Sequence, residues 1–262
     1  MQAIEIRRII DPLPIYTMWL RELKRFLRVK ARVVGSLLMP LFFLAFLGLP
    51  MSFASRIPVL EGIGYLDFLA PGIVGMTLLF SGTMSGASVI WDKEFGFLKE
   101  VLVAPVSRFS VILGRSLGGM TVALIQALVI VGIAVAMGVQ LSSVSGFFLA
   151  IVIMILTCAT FTGFGIIIAT KLGNLEGFMA IMNLIVFPIF LLSGAFFPIQ
   201  SMPSWLKYIM YINPLTYGVD GLRSTLIGVA AFPLWLDFTV LLVVCLALAT
   251  LGSYFFSKME AD

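Results

Sequence analysis

Six long, mainly apolar stretches limit what this chain can fold into more than any other feature of it. They span 33–54, 66–91, 116–138, 146–170, 178–197 and 234–256. A helix rises about 1.5 Å per residue, so about 20 apolar residues cross the hydrocarbon core of a bilayer. The 262 residues are 61% hydrophobic and 11% charged, whereas an ordinary soluble domain carries about 25% charged residues. No soluble fold of this size could cover so much apolar surface. The expected fold is an all-α integral membrane protein with six transmembrane helices.

The charged residues orient those helices. Of the 17 Lys and Arg, fourteen lie in 1–32, 92–115, 171–177 and the C-terminus, and three on the opposite side. Cytoplasmic loops carry the excess of Lys and Arg, so both termini are expected on the cytoplasmic side of the cytoplasmic (inner) membrane. A net charge of +4 spread over such loops suits anionic lipid rather than nucleic acid. Eight of the first 32 residues are basic and no cleavable apolar core is present, so no signal peptide is expected. The chain has no histidine, which removes the commonest metal ligand and general base. Cys158 and Cys245 sit in apolar stretches and read as packing residues. No metal site, catalytic group or resident cofactor is expected.

Two segments depart from simple spans. In 15–29, Tyr16, Trp19, Leu20, Leu23, Phe26 and Leu27 form one apolar stripe, with Arg21, Glu22, Lys24, Arg25 and Arg28 opposite. This pattern predicts an amphipathic helix at the membrane surface, either a passive anchor or a docking surface carrying Trp19, Leu23, Arg25 and Phe26. The apolar run 208–232 is interrupted by Asn213-Pro214, Asp220 and Arg223. Proline breaks the helical ladder and charge at mid-bilayer is costly. A re-entrant helical pair before the last span fits better than a seventh crossing, with Asp220 and Arg223 placed to pair three residues apart.

The loop 92–115 mixes Glu94, Lys99 and Glu100 with Phe95, Phe97, Leu98, Val101 and Leu102. Pro105 would end a short helix there, and Ser107 would cap the next. Exposed apolar groups among charges suit insertion into a partner's groove; a helix lying on the bilayer is the plainer alternative.

The order Glu94, Gly96, Leu98, Glu100, Leu102, Pro105, Ser107, Arg108 resembles the E-x-G-x-L-x-E-x-L-x-x-x-P-x-S-R pattern of ABC-2 type permeases, the membrane subunits of ATP-binding-cassette exporters. Phe97 departs from the Thr that many relatives carry. The later pairs Ser193-Gly194, Phe197-Pro198, Met202-Pro203 and Asn213-Pro214-Leu215-Thr216 resemble the same family's segment before its last span. The resemblance implies a six-span domain over 33–262 preceded by a cytoplasmic segment over 1–32. It also implies a second copy of the chain in a homodimer and a separate cytosolic ATPase that binds ATP and Mg. The segment 94–108 would couple to that ATPase, and Asn213, Pro214, Asp220 and Arg223 would form an outer gate. The sequence contains no G-x-x-x-x-G-K-[ST] phosphate loop, so hydrolysis is not expected on this chain.

A translocation path would run along the second and fifth spans, as in the family. Candidate residues are Gly82 and Gly86, a GxxxG pair, with Asn183, Phe187 and Phe190. The glycines serve equally well for packing inside one subunit. An ion-coupled transporter would place charge within the spans, and here charges sit only at their ends. The cargo suited to a narrow aromatic route is an amphipathic drug or lipid, with lipid-linked polysaccharide as the alternative.

Overall fold

The structure, a computed structural model, describes residues 11–54, 63–94 and 107–257. Among the described residues the chain is helical throughout, without strands. Helix α1 (Pro12–Arg28) starts under an Asp11 cap, whose carboxylate accepts from the Leu13 amide. The first long helix joins α2 (Lys30–Phe43) to α3 (Leu49–Ala54) through a π-turn at Leu44–Gly48. Then follow α4 (Tyr65–Glu94), α5 (Arg108–Ala136) and α6 (Val144–Leu172). Beyond them α7 (Leu175–Ile181) runs through a π-turn at Met182–Val186 into α8 (Phe187–Leu191). Helices α9 (Ser204–Ile212), α10 (Pro214–Ile227) and α11 (Leu234–Ser257) complete the order.

Five of these units are long and apolar enough to cross a membrane: Lys30–Met51, Tyr65–Trp91, Phe109–Ala136, Val144–Leu172 and Leu234–Gly252. The chain is thus a multi-pass membrane protein. The fifth apolar stretch is shorter than its composition promised. Its helical part runs Leu175–Leu191, because the chain turns at Ser193-Gly194, where Gly194 takes φ +76°. Only glycine enters that region readily.

Both π-turns end two residues before a proline, Pro50 or Pro188. Proline has no N–H to give and its ring presses on the carbonyl four residues back. A widened turn lets the helix continue past it. At the other end of α6, Gly173 at φ +67° stops the helix and the Asn174 side chain accepts from the Gly177 amide at 2.8 Å, starting α7.

Helix α4 is the hub. Its most apolar window is 78% buried, against 17% for the first span and 11% for the last. It packs on α5, α6 and α10, leaving α2 and α11 to face lipid or another chain. The α4–α6 seam is close because glycines line it. A Cβ on Gly86 would overlap the Gly165 backbone, and one on Gly82 would sit 3.1 Å from the Cys158 carbonyl.

Helix α1 lies against α5 rather than only on a bilayer. A Cβ on Gly114 would run into the Ile15 backbone, and one on Gly118 would lie 2.6 Å from the Glu22 Cβ. Trp19 Nε1 donates to Thr121 Oγ1 at 3.0 Å. This corrects the expected stripe. The buried side chains are Met18, Glu22 and Phe26, so Glu22 leaves the polar face, while Tyr16 and Leu27 are exposed. Glycine on α5 supplied the groove that rotates the helix.

Candidate functional site

One large cavity, about 450 Å³, opens among α1, α2, α4, α5 and the α7–α8 helix. That volume falls within the ~300–1,000 Å³ usual for small-molecule sites. It follows one face of α4 from Met76 to Ser88, about 18 Å of helix rise. The inner end is apolar, bounded by Met39, Met76, Phe80, Met84, Met182 and Phe187. Flexible thioethers adapt to irregular apolar guests.

Four hydroxyls in the wall, those of Ser36, Thr77, Ser85 and Ser88, are turned back on their own helices. Thr77 Oγ1 donates to the Ile73 carbonyl at 2.9 Å, Ser85 Oγ to Gly82 at 2.7 Å and Ser88 Oγ to Ser85 at 2.6 Å. Gln126 Nε2 donates to Ser36 Oγ at 2.7 Å, and Ser36 in turn donates to the Val33 carbonyl. Asn183 Nδ2 donates to the Met179 carbonyl at 3.1 Å. These groups are satisfied within the protein, so an apolar chain entering here strips no polar group of its only partner.

The other end is charged. Arg25 and Arg32 both lie over Trp91, with guanidinium carbons 5.3 and 5.5 Å from the ring centroid. Glu22 faces Arg25 at 3.6 Å.

The residues singled out in the sequence divide between several places. Asn183 and Phe187 line the cavity, as do Arg25 and Phe26 of α1. Gly82 and Gly86 do not; they belong to the α4–α6 seam inside the subunit. Phe190 is fully buried among Phe43, Phe80, Phe187 and Phe196. Trp19 is tied to α5 and Leu23 is half-buried on α1. Of the expected coupling segment, residues 95–106 and the side chains of Glu94 and Arg108 lie outside the described residues. Glu94 closes α4, and Ser107 precedes α5 in extended conformation.

The interrupted run before the last span is two helices meeting at Asn213-Pro214. Asn213 serves both neighbours. Its Oδ1 accepts from the Leu215 amide, capping α10, while Nδ2 donates to the Ile189 and Leu192 carbonyls left over by α8. The expected Asp220–Arg223 pair does not form. Asp220 instead accepts from the amides of Ala231 and Phe232 at 2.8–3.0 Å. Arg223 donates to the carbonyls of Phe68 and Gly194 and lies 3.7 Å over the Phe68 ring. Backbone groups at the Gly194 and Ala231-Phe232 turns and the Phe68 carbonyl in the first turn of α4 were better placed than the opposite charge.

Sequence reasoning missed Ser36, Gln126, Arg32, Trp91 and the methionines of the cavity. A signal was present: Thr77, Ser81, Met84, Ser85 and Ser88 share one face of α4, adjacent to the glycine face.

The ABC-2 type transporter family model matches residues 14–227. The chain belongs to that family. It is 32% identical over 203 residues to the putative transport permease ycf38 of Cyanophora paradoxa, covering 76% of this chain and 70% of that one. It is 26% identical over 234 residues to the inner membrane transport permease YadH of Escherichia coli K12, covering 88% and 90%. The probable multidrug ABC transporter permease YbhR of the same strain is 27% identical over 195 residues, covering 73% and 51%. The protein is therefore a transmembrane permease subunit and not itself an ATPase; it works with an ATP-binding partner subunit, and no cofactor is expected on it.

Proposed function

We propose that two copies of this permease, each docked to a cytosolic ATPase carrying ATP and Mg, export an amphipathic small molecule or lipid across the inner membrane. The cavity carries this reading: a 450 Å³ space with a charged end and a methionine- and phenylalanine-lined interior matches a guest that is polar at one end only. The names of YadH and YbhR, an inner membrane permease and a probable multidrug permease, support the location and the kind of cargo.

In this reading the 17-residue Leu175–Leu191 helix, about 25 Å long, is the fifth of six crossings. Six crossings put both termini on the cytoplasmic side, in keeping with the Lys and Arg distribution. Helices α9 and α10, Ser204–Ile212 and Pro214–Ile227, then form the re-entrant pair expected at 208–232, with Asn213, Pro214, Asp220 and Arg223 holding the outer gate. Residues 94–108 form the coupling segment, and α1 docks on the same ATPase.

The test is purification from native membranes in mild detergent, followed by reconstitution in liposomes. A near-stoichiometric protein with a phosphate loop is expected to copurify, and ATP to drive efflux of amphipathic dyes. Glu94→Ala and Glu100→Ala are expected to lower transport about tenfold or more while ATP hydrolysis continues. Full transport by both variants at normal abundance removes the coupling role of that segment. A permease that purifies alone and transports without nucleotide removes the exporter reading.

A further inference from the structure

We propose that the cavity selects an amphiphile with an anionic head group, a phosphate or carboxylate on an apolar chain, and that Arg32 receives the head group with Arg25 beside it. This deepens the exporter reading and rests on it.

The argument starts from charge at the mouth. Two guanidiniums and one carboxylate line the cavity. Glu22 faces Arg25, and among the described residues no carboxylate lies within ion-pairing distance of Arg32. Among the described residues that line it, the cavity end thus carries two positive charges against one negative, with Glu22 acting electrostatically on Arg32 as well as on Arg25. Trp91 holds both guanidiniums over one indole, which fixes planar donors near the cavity without neutralising them. A guanidinium fork suits phosphate and carboxylate, and a charge-assisted hydrogen bond is the strong kind. A cationic head would have to sit beside two like charges.

Beyond the mouth the wall is mainly apolar, with Ser81, Gln126 and Asn183 as its polar interruptions. The hydroxyls of Thr77, Ser85 and Ser88 are spent on their own helices, and methionine and phenylalanine bound the rest. A free anion would use the mouth and leave the apolar length unfilled; a neutral chain would fill the length and leave Arg32 unused. An anionic amphiphile uses both.

The test is binding of tritiated dodecyl phosphate to the full-length permease in nanodiscs of zwitterionic phospholipid, with empty nanodiscs subtracted. Unlabelled dodecyl phosphate and dodecanoate are expected to compete at about tenfold lower concentration than dodecanol or dodecylammonium, a factor set by one charge-assisted hydrogen bond. Arg32→Gln should erase that preference and Arg32→Lys should keep most of it. Equal competition by all four chains, or a preference that survives Arg32→Gln, overturns the head-group assignment. Competition by inorganic phosphate at the concentration that suffices for dodecyl phosphate overturns the amphiphile part and leaves a plain anion site. Binding of every chain left unchanged by Ser81→Phe, which fills the cavity, would put the site elsewhere and overturn the assignment to this cavity; the exporter reading fails on a separate result, transport without nucleotide by a permease that purifies alone.

Discussion

Two carboxylates near the turn between α10 and α11, Asp220 on α10 and Asp237 on α11, are both buried, at 1% and 0% exposure, yet their surroundings differ. Asp220 takes two backbone amides from the turn that joins the helices. Neither oxygen of Asp237 has a hydrogen-bond donor among the described residues. A buried N–H left without its acceptor costs about 1–3 kcal/mol, so Asp220→Ala should destabilise by about 2–4 kcal/mol once both amides are orphaned. Asp237→Asn should cost under about 1 kcal/mol or raise stability, since the buried carboxyl it replaces has no donor to satisfy it. Thermal unfolding of the detergent-solubilised permease separates the two. An equal loss in both variants would mean that the turn is held by something other than Asp220.

Among the helices, α1 shows best what periodicity reaches and what it leaves out. The helix and its amphipathic character were legible, because apolar residues recur at helical spacing, but its start lies at Asp11-Pro12 rather than at 15. The buried face was not legible, because it depends on a groove cut by Gly114 and Gly118, a hundred residues away. The same limit applies to Asp220 and Arg223. Their spacing suggested each other as partners, whereas the carbonyls and amides that hold them come from two turns and the start of α4, whose approach no local pattern encodes. The Asn213-Pro214 break was legible, because proline cannot continue the ladder whatever surrounds it. If the groove seats α1, then Gly118→Leu, which drives a side chain into Glu22, should lift the helix from α5. Amide exchange across Pro12–Arg28 should then rise by at least about tenfold. Unchanged protection would show that the bilayer, rather than α5, keeps this helix in place.

For the assembled bundle, the length and apolarity of the runs gave away the long spans, while the cavity stayed hidden. It exists where α2, α4, α5 and the α7–α8 helix diverge, and divergence is a property of four helices together. On α4 the two faces differ by a single position. Gly82 and Gly86 close the seam with α6, while Ser81, Ser85 and Ser88 border the open space. One residue of helix turns by about 100°, so a substitution at 81 and one at 86 act on different parts of the machine. Ser81→Phe adds a ring to the cavity wall without touching the seam, and should reduce amphiphile efflux about tenfold or more while the melting temperature holds. Gly86→Leu pushes α4 off α6; overpacking of this kind costs about 1–3 kcal/mol or more, so abundance and melting temperature should fall before transport is even measured. Efflux by Ser81→Phe at the wild-type rate would move the route out of this cavity. The place to look next would then be the exposed faces of α2 and α11, where a second copy of the chain could complete a path that one copy does not contain.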